Sequence, residues 1–267
     1  MNRLTPVVAL LIGLPVLATA QSGTVQYDQA TRLDLNLPAN SPFASRIPKN
    51  TVKPMQLTFT PGATLFGAGT AAADGPDGGR EMRFTSRDGG GGVMITREIS
   101  GGEMAMVATR MGFMGGGSAS DAIAGAYTDL ADGSYTEMRE FLGRTFRIPT
   151  ERPTFAWKMT GEQASFLGHP VYQAIAQQDS STIEAWFTPD IPIPAGPAQY
   201  GGLPGLILTL AVDSNRVVYT ATAIDTKTPI KAIKAPSEGS KVTRAEYDKI
   251  VEEKLAEMAK SRRGRGN

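Results

Sequence analysis

The chain has 267 residues, no cysteine and one histidine, and 27 Lys and Arg against 26 Asp and Glu give a net charge of +1. That balance supplies no field to gather nucleic acid or an anionic membrane, and the composition excludes disulfides and Cys/His zinc sites within a single chain. Stability has to come from an apolar core.

Met1 to Ala20 carries one positive charge at Arg3, an apolar run from Val7 to Leu17, and Ala18-Thr19-Ala20 before Gln21. This is the pattern of a secretory signal peptide cleaved near Ala20/Gln21, and it predicts a secreted or periplasmic mature protein. The run falls short of the roughly 20 residues a spanning helix needs, and Gly13 and Pro15 interrupt it. Nothing later is apolar enough to span, so the mature chain is expected to lack a transmembrane segment.

Residues 21–54 are polar and punctuated by Pro38, Pro42, Pro48 and Pro54, which reads as a tail able to add one strand. A single β domain is predicted over 55–225. It opens with Met55, Leu57 and Phe59 alternating with polar neighbours, then Pro61-Gly62 and Thr64-Leu65-Phe66, a half-buried hairpin. Within it, 67–125 is a Gly/Met-rich insertion marked by Asp74 to Gly79 and Gly89 to Gly92, with short strand candidates at 81–84, 93–99 and 104–110.

From Tyr127 onward the rhythm is regular. Candidate strands are 135–141, 144–148, 154–160, 170–177, 182–188, 206–212 and 216–225, separated by tight turns. Short strands in that order predict an antiparallel meander curled into an open, barrel-like sheet, so the fold class is mainly β. A linker (226–242) leads to a C-terminal amphipathic helix over 243–260. Thr243 and Glu246 make a capping box, and Tyr247, Ile250, Val251, Leu255 and Met258 share one face. The basic tail 261–267 is too polar to fold alone.

The stretch that organises the chain is Tyr200-Gly201-Gly202-Leu203-Pro204-Gly205 running into Leu206 to Leu210, a Gly/Pro elbow feeding a strand. Gly205 is expected to occupy a strained turn. With Trp186-Phe187, Ile191-Pro192-Ile193-Pro194 and Ala195-Gly196-Pro197 before it, the chain resembles the GLPGLI family of secreted bacterial proteins, named for the hexapeptide that stands here at 202–207. The resemblance implies an exported β protein and brings no established activity. Members often carry a cysteine in the strand matching 170–177, where Val171-Tyr172-Gln173-Ala174-Ile175 has none.

The long loop 188–205 is stiffened by proline and bordered by aromatics. It suits a binding rim, since little entropy is lost on contact, and it suits equally a plug for the open end of a curled sheet. The candidate rim comprises Trp186, Phe187, Pro192, Pro194, Pro197, Tyr200, Gly202, Leu203, Pro204 and Gly205. These features point to a binding module for a hydrophobic ligand or an envelope protein, without a cofactor and with no catalytic residue singled out. As an alternative, a hydrolase would use His169 with Ser165 or Ser180 and an acid such as Asp179, or a pair from Asp129, Asp132, Glu137, Glu140, Glu162, Asp179, Glu184, Asp190 and Asp213. No Gly-x-Ser-x-Gly elbow surrounds a serine, and no spacing marks a carboxylate pair. A second alternative is copper handling by Met104, Met106, Met111 and Met114, because thioethers select copper(I).

Overall fold

The computed structural model describes residues 21–32, 50–69 and 123–264. The strand candidates at 81–84, 93–99 and 104–110 and the four methionines of the copper reading lie outside the described residues. Twelve strands form one sheet: β1 (Gly23–Arg32), β2 (Asn50–Phe59), β3 (Ala63–Ala68), β4 (Ile123–Asp129), β5 (Ser134–Phe141), β6 (Arg144–Glu151), β7 (Lys158–Phe166), β8 (His169–Gln178), β9 (Ser181–Thr188), β10 (Leu206–Val212), β11 (Val217–Asp225) and β12 (Ser240–Lys241). The helix α1 (Arg244–Gly264) follows.

The spatial order is β12-β6-β5-β4-β3-β2-β1-β11-β10-β9-β8-β7, antiparallel except for the short parallel pair β12·β6. Two meanders, β1 to β6 and β7 to β11, are therefore joined side by side through β1 and β11. The stretch read as a polar tail supplies β1 and the start of β2 at the centre of the sheet. There Val25 and Tyr27 are fully buried, so a few apolar side chains at period two outweigh the polar average of the stretch.

The sheet is curled, as its covalent connections require. β6 and β7 are ten strand steps apart in the order, roughly 48 Å on a flat sheet. The link from Glu151 to Lys158 reaches at most about 25 Å. Ring contacts agree with this. Phe66 on β3 meets Tyr27 on β1, two strand steps away, edge-on at 6.4 Å and Tyr219 on β11, three steps away, at 5.9 Å. The ribbon does not close on itself.

Two differences from the sequence reading have local causes. The candidate strand 154–160 begins four residues later, at Lys158, because 152–157 crosses from β6, one strand in from one edge, to β7 at the other edge. Gly161, expected as a separator, sits inside β7 with φ +88°, where the pairing with β8 shifts register between Met159 and Gln163. A second shift, between Gln26 and Tyr27 opposite β11, pairs Ile224 with buried Val25 and so returns it to the inner face beside Ala221.

Helix α1 covers only one end of the inner face. Tyr247 packs edge-on against Phe146 at 5.4 Å beside buried Ile148. Arg139, buried on β5, lies over the Tyr247 ring and donates Nε to Glu137 at 2.8 Å, while Arg244 reaches the same carboxylate at 3.3 Å. Farther along the helix, Leu255 is half exposed.

Candidate functional site

The middle of the inner face is filled by the loop between β9 and β10. Ile191, Ile193, Ala195, Ala198, Tyr200 and Leu203 are buried in the main core, while Pro192, Pro194, Gly202 and Pro204 are exposed. The alternation follows from three tight turns. The amides of Ile193, Ala195 and Gly205 donate to the carbonyls of Ile191, Ile193 and Leu203, two residues back, at 2.8, 2.7 and 2.8 Å. Proline is at the centre of each, and its fixed φ suits this inverse γ geometry. Isoleucines therefore point into the sheet and prolines out of it. The loop is tied to β10 by Leu206 N to Ile191 O (3.0 Å) and Ile207 N to Ala195 O (2.9 Å), and closed on itself by Gly202 N to Pro194 O (3.1 Å).

The rim residues thus divide. Pro192, Pro194, Gly202 and Pro204 form an outward ridge; Phe187, Pro197, Tyr200, Leu203 and Gly205 are interior; Trp186 is half-buried on the opposite sheet face, its Nε1 donating to Glu184 Oε1 at 3.0 Å. The loop thus plugs the interior with one face and presents the other to solvent.

A strap holds the elbow from outside. Arg152 donates Nε to the Gln199 carbonyl (3.4 Å) and Nη2 to the Tyr200 carbonyl (3.2 Å), and Trp157 Nε1 donates to the Gly201 carbonyl at 2.9 Å. Phe155 packs between them, 5.2 Å from the Tyr200 ring and 5.5 Å from Trp157. Three consecutive carbonyls of the elbow are captured by a segment of six residues. Gly201 has no alternative side chain, because any Cβ would collide with Arg152 Nη2 and lie 2.7 Å from the Pro194 carbonyl oxygen.

Beside the strap lies a group of phenols. Tyr135 on β5 is opposite Thr150 near the end of β6, and Arg152, just past that end, interacts electrostatically with the Tyr135 phenol. The Tyr135 hydroxyl is buried without a hydrogen-bond partner, whereas the Tyr27 hydroxyl donates to the Ile207 carbonyl at 2.5 Å. Burial raises the pKa of Tyr135, Tyr200 and Tyr219, so all three stay protonated. It lowers that of Arg152, whose neighbour Tyr135 opposes the shift. Sequence reading missed Arg152, Tyr135 and Tyr219, since nothing local marks residues brought together by curling.

His169 pairs with Asp190, Nδ1 to Oδ2 at 3.0 Å, where β8 begins and the loop leaves β9. Ser165 is next to this end, opposite Pro170. Asp179 and Ser180 turn the chain at the other end of β8, roughly 30 Å away. Of the acids, Glu137 is held by Arg139, Glu184 accepts from Gln173 and Trp186, and Asp129 and Asp132 accept amides in their own turn. Among the described residues, no helix is long and apolar enough to cross a membrane.

Comparison with known proteins adds a family of unknown role. Residues 144–209 match the model of a family described as "Protein of unknown function (Porph_ging)". That span runs from β6 through the strap, the loop and the elbow into β10. No curated protein matches the sequence. Solved structures titled "Structure of PNGF-II in P21 space group" and "Structure of PNGF-II in C2 space group" are similar at 15% and 14% identity, with TM-scores of 0.48 and 0.49. The likeness covers 86% and 87% of this chain, which spans 33% of the length of those chains.

Proposed function

We propose that this is an exported envelope protein of the GLPGLI type, cleaved near Ala20/Gln21, that acts as a non-catalytic binding module for another protein or a hydrophobic ligand. The ridge of Pro192, Pro194 and Pro204 is its contact surface. The observation that carries this reading is the division of the loop: its isoleucine face is buried and bonded to β10 while its proline face is exposed. A ridge already ordered loses little entropy on contact. With the interior occupied by the loop's own side chains, the ridge is favoured over a lumen as the place of contact.

The test is envelope fractionation of the tagged full-length chain, then recovery of bound proteins and lipids. Recovery of a defined partner that is lost when Pro192, Pro194 and Pro204 are replaced by serine supports the reading. Retention of the full-length chain in the cytoplasm, or a partner indifferent to these substitutions, overturns it. The His169–Asp190 pair favours one second reading, a hydrolase using the imidazole as base. Hydrolysis of a panel of esters that is abolished in His169→Ala would select it.

A further inference from the structure

The seam between the strap and β5 collects hydrogen-bond donors, and the acid that stands two residues from Tyr135 on β5, Glu137, is already held by Arg139 and Arg244. Arg152 is only partly buried, and its bonded acceptors are two backbone carbonyls. Among the described residues, no carboxylate pairs with it. Its Nε–H and one Nη2–H are used, which leaves the Nη1/Nη2 edge, a fork that matches two carboxylate oxygens. Beside it, where β5 pairs with the end of β6, stands the Tyr135 hydroxyl, buried and without a hydrogen-bond partner. A buried polar group left unmatched is costly, and a native fold retains one where something else supplies the match. Phe155, Trp157 and Tyr200 form an aromatic collar at the strap.

We propose that Arg152 and the Tyr135 hydroxyl form a binding site for a monocarboxylate bearing an apolar group, with the Phe155, Trp157 and Tyr200 rings receiving that group. One guanidinium balances one negative charge, which favours a monocarboxylate over a phosphate dianion. The raised pKa of Tyr135 keeps its hydroxyl a donor at any ordinary pH, and the partial exposure of Arg152 provides the way in. The site is separate from the proline ridge, so it stands or falls independently of the function proposed above.

The test is thermal unfolding and calorimetric titration of the mature chain with hexanoate, with phosphate and chloride as controls at matched ionic strength. A tetrapeptide ending in leucine, as free acid and as amide, forms a second arm. A saturable stabilisation by hexanoate or by the free-acid peptide is expected, the one that binds identifying the source as an organic acid or a polypeptide terminus. Tyr135→Phe should raise the melting temperature without ligand, since it removes an unmatched hydroxyl, yet weaken binding by roughly tenfold. Arg152→Lys, which keeps the charge and loses the fork, should weaken it similarly. The proposal is overturned if neither carboxylate stabilises the chain, if the amide peptide or phosphate binds as well, or if both variants bind like the parent.

Discussion

Arg152 donates through Nη2 to the Tyr200 carbonyl, 3.2 Å away, across the space that a side chain on Gly201 would need. Gly201→Ala is therefore expected to lower stability by about 2 kcal/mol, the cost of forcing a methyl group into a packed site. Removing the guanidinium relieves part of that clash, the part not due to the Pro194 carbonyl. In chemical denaturation Gly201→Ala with Arg152→Ala should thus cost less than the two single changes together. Strict additivity would mean that the two residues do not meet.

Gly205 and Gly202 serve the elbow for different reasons. A Cβ at Gly205 would meet the backbone of Thr188 and Pro189, with the Thr188 carbonyl carbon at 2.7 Å and Pro189 Cα at 3.0 Å. The strained turn expected at Gly205 is instead at Gly202, with φ +87° and open space around it. Gly202→Ala should cost roughly 1–2 kcal/mol and leave the fold intact. Gly205→Val should prevent β9 and β10 from closing around the loop, with the yield of folded protein falling sharply. Equal melting temperatures for the two variants would contradict this assignment.

The sheet was legible where side-chain alternation is local. Ile183, Ala185 and Phe187 face inward and Glu184 and Trp186 outward, as their spacing requires. What the pattern does not carry is long-range: β1 pairs with β11 some 200 residues later, and the crossover after β6 splits one expected meander into two. The segment 188–205 was legible as a stiff Gly/Pro loop, but its two faces were not, because the inward turn of each isoleucine depends on the γ turn made around the next proline. Arg152 carries no local signature, since its role comes from carbonyls 47 and 48 residues away.

Tyr27 and Tyr135 make a controlled pair of buried phenols. The Tyr27 hydroxyl donates to the Ile207 carbonyl across 180 residues of sequence, while that of Tyr135 has no partner. Tyr27→Phe should destabilise the chain by about 1–2 kcal/mol, because it leaves a buried carbonyl short of a donor. Tyr135→Phe, in the absence of ligand, should be stabilising, because it removes a buried hydroxyl that has no partner. Urea unfolding of both variants in acetate-free buffer checks the opposition of signs, and equal losses would refute it.

The helix cap gives a pH dependence with a definite sign. Glu246 accepts from the Thr243 amide at 2.7 Å and from its hydroxyl at 2.9 Å, and these donors hold its carboxyl below the ordinary value of 4.5. A carboxylate whose folded pKa is depressed stabilises the fold above its unfolded value, and that stabilisation disappears as pH falls through the folded one. The start of α1, where Tyr247 rests on Phe146, should therefore loosen in acid and remain firm at neutral pH. Glu246→Gln keeps an oxygen for the Thr243 amide but has no proton to gain in this range. It should flatten the acid limb of helical circular dichroism below pH 4.5, the ordinary value for this group. An acid limb unchanged in that variant would place the titrating group elsewhere, with the Asp225 carboxylate, held low by the Thr228 hydroxyl and the amides of Lys227 and Thr228, as the next to replace.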